Sequence, residues 1–138
     1  MTVHGIGVDL VRIPRMRDVI ARWDERFLRR VFTDTEIAYA TSVPDLAAER
    51  LAARFAAKEA TIKALDLADV GVGWREIEVA REQSGKCRLI LHGAARAAAD
   101  DAGVSELSVS LSHEGDYSAA VVLAVRPEPQ HVEETTHA

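Results

Sequence analysis

The chain has little of what builds disulfide scaffolds, metal-thiolate centres or membrane spans. Its 138 residues include one cysteine, Cys87, which excludes an internal disulfide and a cysteine-based metal site. Aromatic residues make up 5%, so the core must be aliphatic and alanine-rich. No apolar run approaches the roughly 20 residues of a membrane-spanning helix. The start, Met1-Thr2-Val3-His4-Gly5, lacks the basic region and long apolar stretch of a secretory signal. These absences predict a cytoplasmic protein that engages no membrane.

What remains reads as an ordinary globule, 48% hydrophobic and 28% charged. The length suits one domain that buries about two-thirds of its unfolded surface. A net charge of -5 argues against a general nucleic-acid binder. The charge is unevenly spread, however. Arg12, Arg15, Arg17, Arg22, Arg26, Arg29 and Arg30 are opposed only by Asp18, Asp24 and Glu25 in that stretch. Such a basic segment fits a specific acidic partner, and it fits equally a solvated helix face with intrahelical ion pairs.

Alternating small and apolar residues predict a strand over 3–11, and Pro14 suits the first turn of a helix running to about Arg22. A second helical stretch covers about 26–31. Thr33 and Glu36 have the spacing of a capping box, read as a cap and nothing more. Asp45 is expected to cap a long helix over 46–65, about 30 Å in length. A loop with two glycines follows. Residues 76–81 and 86–91 read as a hairpin around Gln83-Ser84-Gly85, 94–101 as a helix stopped by Gly103, and 107–112 with 117–125 as a second hairpin. The fold class is therefore α+β, a long central helix on a mostly antiparallel sheet. Residues 1–126 are expected to form the domain and 127–138 a polar, proline-containing, disordered tail.

Three segments carry chemistry. In Gly5-Ile6-Gly7-Val8-Asp9 the glycines admit a close neighbour to the strand, and Asp9 comes at the strand's end. In the long helix Leu51, Phe55 and Ile62 form an apolar stripe on which Glu59 falls, a costly place for a carboxylate without a partner. Arg54, Lys58 and Lys63 lie on neighbouring turns. A hard oxygen ligand beside several cations suits a phosphate–Mg²⁺ complex, while Glu59 and Lys63 four apart also suit a plain helix salt bridge. In Ser108-Val109-Ser110-Leu111-Ser112-His113-Glu114 the serines line one face of a strand, and His113 is expected at the turn.

In this order the three segments resemble the holo-acyl-carrier-protein synthases, the small class of phosphopantetheinyl transferases. The likeness includes Trp74–Val79 and Gly85–Leu89 and spans roughly residues 3–125. It implies transfer of the phosphopantetheine arm of coenzyme A to a serine of an apo acyl carrier protein, of fatty-acid or polyketide type, with release of adenosine 3′,5′-bisphosphate. It implies Mg²⁺ on Asp9 and Glu59, catalytic roles for Glu59 and Lys63, and coenzyme binding by Asp9, Arg54, Lys63, Ser110, Ser112 and His113. The carrier would dock on Arg15, Val19, Arg22, Arg26 and Phe27. The resemblance also implies a homotrimer with active sites between neighbouring subunits; larger relatives join two such folds in one chain, so a single copy is expected to oligomerise. Two departures stand out. The family's Gly-Thr-Gly after the lysine and alanine is replaced by Asp66-Leu67-Ala68, and Ser108 stands where many members have histidine. Competing expectations are a non-catalytic coenzyme A or nucleotide-binding module, a Mg²⁺-dependent phosphoesterase, and a structural oligomer with a buried Glu59–Lys63 pair.

Overall fold

Two glycines set how the layers meet. The computed structural model describes residues 1–22 and 25–128. Strand β1 (Thr2–Arg12) lies directly against the long helix α4 (Ala47–Leu65). A Cβ added at Gly7 would fall on the carbonyl oxygen of Ala60, and one at Gly5 on that of Ala64. No side chain separates strand from helix there. Alanines on the helix (Ala56, Ala57, Ala60 and Ala64, all buried) complete the close approach.

The remaining elements follow the expected order. Helices α1 (Ile13–Arg22), α2 (Glu25–Val31) and α3 (Asp34–Thr41) precede α4. Strands β2 (Ile77–Arg81) and β3 (Cys87–Leu91) form one antiparallel hairpin, and α5 (Gly93–Asp101) leads to a second, β4 (Glu106–Glu114) and β5 (Tyr117–Arg126). β1 joins the second hairpin antiparallel to β5, giving the order β1-β5-β4. One apolar cluster fills the space between this sheet, α5 and the second half of α4. The other gathers α1, α2, α3 and the first half of α4 around Phe32 and Leu51.

Four local expectations need correction. Residues 74–76 form a single 3₁₀ turn before β2 rather than strand. Asp45 makes no cap, because residues 44–46 form another 3₁₀ turn that runs straight into α4 with Leu46 at the cap position. His113 lies inside β4, paired with Ser118, and the turn comes later. Finally, the ion facing the core is Lys58, not Glu59. At about 100° per residue, position 58 lies about 20° from Leu51 and position 59 about 80° away. The alanines around them hide that stripe in the sequence.

Lys58 is fully buried and so is its partner Glu36. The ammonium donates to Glu36 Oε1 (2.8 Å), to the carbonyl of Trp74 (3.1 Å) and to that of Ile77. Glu36 also accepts from the backbone N–H of Thr33 (2.8 Å) and of Val79 (3.0 Å). Every charged atom of the pair therefore has a partner, the condition under which a buried ion pair is tolerated. The capping box at Thr33–Glu36 is present, but Glu36 does more than cap. It ties α3, α4 and β2 together.

At its far end α4 closes with Asp66 in the left-handed region, φ 54°. The Asp66 and Leu67 N–H groups return to the carbonyl of Ile62, a Schellman-type close. Asp66 thus occupies a position that favours glycine. The Pro127–Ala138 tail, apart from Pro127 and Glu128, lies outside the described residues.

The face of the three-stranded sheet turned away from α4 carries Val3, Ile6, Val8 and Leu10, 59–66% exposed. Val121 of β5 pairs with Val8 on the same face.

Substituting Gly7→Ala tests the layer contact. Overpacking against backbone should cost about 3 kcal/mol, read from urea unfolding. A loss under about 1 kcal/mol would mean that helix and strand part easily.

Candidate functional site

Because β1 and α4 touch backbone to backbone, the groups at their shared end are brought together without adjustable spacers. Asp9 leaves β1 two residues after Gly7, and Glu59 leaves α4 one residue before Ala60. Both line one cleft of about 530 Å³. Lys63, one turn along α4, reaches across to the carbonyl of Val8 (3.0 Å) and to Asp9 Oδ1 (3.4 Å). Among the described residues it forms no ion pair with Glu59, so the helix salt bridge suggested by their spacing is replaced by a strand–helix one. The buried Glu59–Lys63 pair of a purely structural oligomer is likewise not formed.

Glu59 is held above the usual carboxylate range. Partial burial is the larger cause and the negative charge of Asp9 the next, with Lys63 pulling the other way. Two carboxylates that converge and repel one another are a natural seat for a hard cation. No group of three or more His, Cys, Asp or Glu capable of holding a metal occurs among the described residues. That donor set suits Mg²⁺, which takes few protein carboxylates and draws its other ligands from water and phosphate.

The opposite wall of the same cleft is built by the basic helices. Arg15, Met16 and Val19 from α1 and Phe27 from α2 line it together with Phe55 of α4. Arg15 is exposed, and Val19 and Phe27 are half-buried. Arg22 and Arg26 are exposed on the same two helices. The residues expected for docking and those expected for metal binding therefore meet, at least through Arg15, Val19 and Phe27, in one depression.

Arg54 is elsewhere. Five residues before Glu59 on α4, it lines a second cavity of about 290 Å³ with Tyr39, Arg50, Arg81, Ser112 and His113. Arg50, Arg54 and Arg81 stand over the Tyr39 ring at 4.3, 4.4 and 5.3 Å from its centre. Arg54 is 4% exposed and its buried Nε has no hydrogen-bond partner. Burial pulls its guanidinium below the ordinary value, opposed chiefly by Cys87 and Tyr39. A buried cation with an unmet donor marks an incomplete anion site. His113 Nδ1 lies 3.1 Å from Glu49 Oε1 at the same cavity.

The serines divide. Leu111 packs on the core, so Ser110 and Ser112 point to the other face of β4. Ser112, near the strand's end, still lines the arginine cavity, whereas Ser110 sits opposite Val121 on the outer face. Lys58, expected among the cations near Glu59, is absent from the cleft because it is committed to Glu36. The sequence reading passed over Tyr39, Arg50 and Arg81. The Tyr39 ring and the Arg50 and Arg81 guanidiniums converge only through the packing of α3 and β2 on α4, and no spacing in the chain signals it.

The family model described as the 4'-phosphopantetheinyl transferase superfamily matches residues 5–122. A holo-[acyl-carrier-protein] synthase of Herpetosiphon aurantiacus is 45% identical over 126 residues, covering 86% of this chain and 96% of that relative. Another of Moorella thermoacetica is 48% identical over 117 residues, covering 85% and 90%. Among solved structures, the ACPS–CoA complex of Chronobacterium ammoniagenes superimposes with a TM-score of 0.77 at 35% identity, covering 89% of this chain and 97% of that one. The chain therefore belongs to the 4'-phosphopantetheinyl transferase superfamily, within its holo-[acyl-carrier-protein] synthase family.

Proposed function

We propose that the protein transfers the phosphopantetheine arm of coenzyme A to a serine of an apo acyl carrier protein and releases adenosine 3′,5′-bisphosphate. The observation that carries the reading is the shared cleft, in which Asp9 and Glu59 face the wall formed by Arg15, Val19 and Phe27. Family membership and the coenzyme A complex of a structural neighbour support the co-substrate. Residues 1–126 make up the catalytic domain in this reading, and the enzyme works in the cytoplasm. Among the described residues no helix is long and apolar enough to cross a membrane.

Asp9 and Glu59 would hold Mg²⁺, which when bound neutralises charge on the pyrophosphate. Glu59 accepts the proton of the carrier's serine hydroxyl as that oxygen attacks the pantetheine-side phosphorus. Lys63, fixed by Val8 and Asp9, supplies a positive charge beside the leaving phosphate. The nucleotide end, with its phosphate, takes the arginine cavity, where Arg54 offers its unmet donor and Ser112 and His113 border the space. Arg15, with Arg22 and Arg26, meets the acidic surface of the carrier, and Val19 and Phe27 supply the apolar part of that contact.

A homotrimer is part of the proposal. Val3, Ile6, Val8 and Leu10 form an apolar strip that a monomer would leave in water. Ser110 lies on the same face, so its expected coenzyme contact is made at a subunit boundary.

Mass measurement of an apo carrier after incubation with coenzyme A and Mg²⁺ tests the reaction. A carrier gaining the phosphopantetheine mass supports it. Tight coenzyme binding without transfer would favour a binding module, and adenosine bisphosphate released without carrier a phosphoesterase. Glu59→Gln should abolish transfer yet leave the fold intact. The sign of its stability effect follows from linkage: a carboxyl raised in the folded state is best tolerated below the unfolded glutamate value of about 4.3, and that advantage is lost as pH rises through the folded value. The variant should thus melt at or above the parent temperature at neutral pH, with the gain vanishing in acid. Near-normal turnover would remove Glu59 from the chemistry.

Reversing Arg15 and Arg22 to Glu should raise the carrier KM about tenfold with little change for coenzyme A. An unchanged carrier KM would remove the docking role. Ile6→Glu should convert a trimer to monomer in analytical ultracentrifugation and lower turnover in parallel. A variant that stays trimeric would move the interface to another face.

A further inference from the structure

Cys87 borders the arginine cavity and packs against the core beside it, and the transfer reaction requires no thiol there. It is half-buried, opposite Arg81 in the β2–β3 hairpin, and it lines the space that Arg50, Arg54 and Arg81 surround. Two features point to an anionic occupant of this space. Arg54, 4% exposed, keeps a buried and unpartnered Nε. Three guanidiniums gather over one tyrosine ring. Among the described residues Glu49 is the one carboxylate lining the cavity, and it is engaged with His113.

We propose that Cys87 is a thiol–disulfide exchange site that takes one half of a small anionic disulfide, and that this adduct closes the arginine cavity. As its thiolate, Cys87 attacks one sulfur of the disulfide. A bond forms between Cys87 Sγ and that sulfur, and the original S–S bond breaks. The other half leaves as a thiolate and takes up the proton that Cys87 released. The incoming disulfide is the oxidant, so one thiol is consumed and one is produced. The guanidiniums draw in the negative groups of the reagent and hold them after exchange. The retained half then fills the space assigned above to the nucleotide end of coenzyme A. This second consequence rests on that assignment, while the exchange itself does not.

The full chain is incubated with glutathione disulfide, which is anionic, and separately with cystamine, which is cationic. Intact mass and peptide mapping should find one glutathionyl adduct on Cys87, removed by dithiothreitol. It should form about tenfold faster than the cystamine adduct at low ionic strength, and the difference should shrink in high salt. Arg81→Gln, an exposed position, should narrow the preference, and Cys87→Ser should take no label. The labelled protein should show a raised KM for coenzyme A that reduction restores, and Cys87→Ser should be insensitive to glutathione disulfide. Equal rates for the two disulfides overturn the proposal, as does a Cys87 that is labelled only after unfolding. A charge-selective adduct that leaves coenzyme A affinity unchanged removes the nucleotide from this cavity and leaves the exchange chemistry standing.

Discussion

The contact between β1 and α4 governs the rest of the molecule. At Gly5 and Gly7 the strand backbone meets the carbonyls of Ala64 and Ala60 with no side chain between them. The relative position of Asp9 and Glu59 is then set by two backbones rather than by flexible side chains, which is how a two-carboxylate site gains geometric precision. Lys63 reinforces the same seam by bonding to the carbonyl of Val8. Even the exposed apolar face depends on this contact: with the glycine face of β1 pressed on the helix, the alternating residues Ile6, Val8 and Leu10 must point outward, and the register shift between Val3 and Gly5 brings Val3 to the same face.

The other side of α4 is anchored by charge. Lys58 and Glu36 are fully buried, yet each has backbone partners in addition to the other. Such a pair adds little net stability over apolar residues of the same size, but loss of one member leaves an uncompensated ion and costs about 3–5 kcal/mol. Its effect is to fix register. The ammonium reads the carbonyl of Trp74 in the turn before β2 and that of Ile77 at its start, and the carboxylate reads an N–H in that strand, so α4 has one rotation that satisfies all of them. Glu59, the next residue, inherits its direction from that constraint.

Much of the architecture was legible because local signals agreed with the global fold. The glycine spacing in β1, Pro14, the Thr33–Glu36 box, the Gly85 and Gly115 turns and the length of α4 each announced an element. Asp9, Glu59 and Lys63 were named as a set by a family pattern; Asp9 and Glu59 line one cleft, and Lys63 reaches Asp9 from one turn along α4. The stripe on α4 was harder to read. With alanine at 52, 53, 56, 57, 60 and 64, apolar periodicity carries little contrast, and a buried lysine looks like a surface one until its partner is known. Glu36 was hidden by a sufficient local explanation, its capping role. The arginine cavity was illegible for another reason: Tyr39, Arg54, Arg81 and His113 come from four elements, and only tertiary packing joins them.

Glu59 and Arg54 leave the same helix about 140° apart. In the proposed reaction the two ends of coenzyme A would therefore be received on different flanks of a single rigid rod. Substitutions that retune the hold on one end need not disturb the chemistry at the other, since the rod transmits position but little strain. Relatives could diverge in how they grip a nucleotide while keeping the reacting atoms in an unchanged frame.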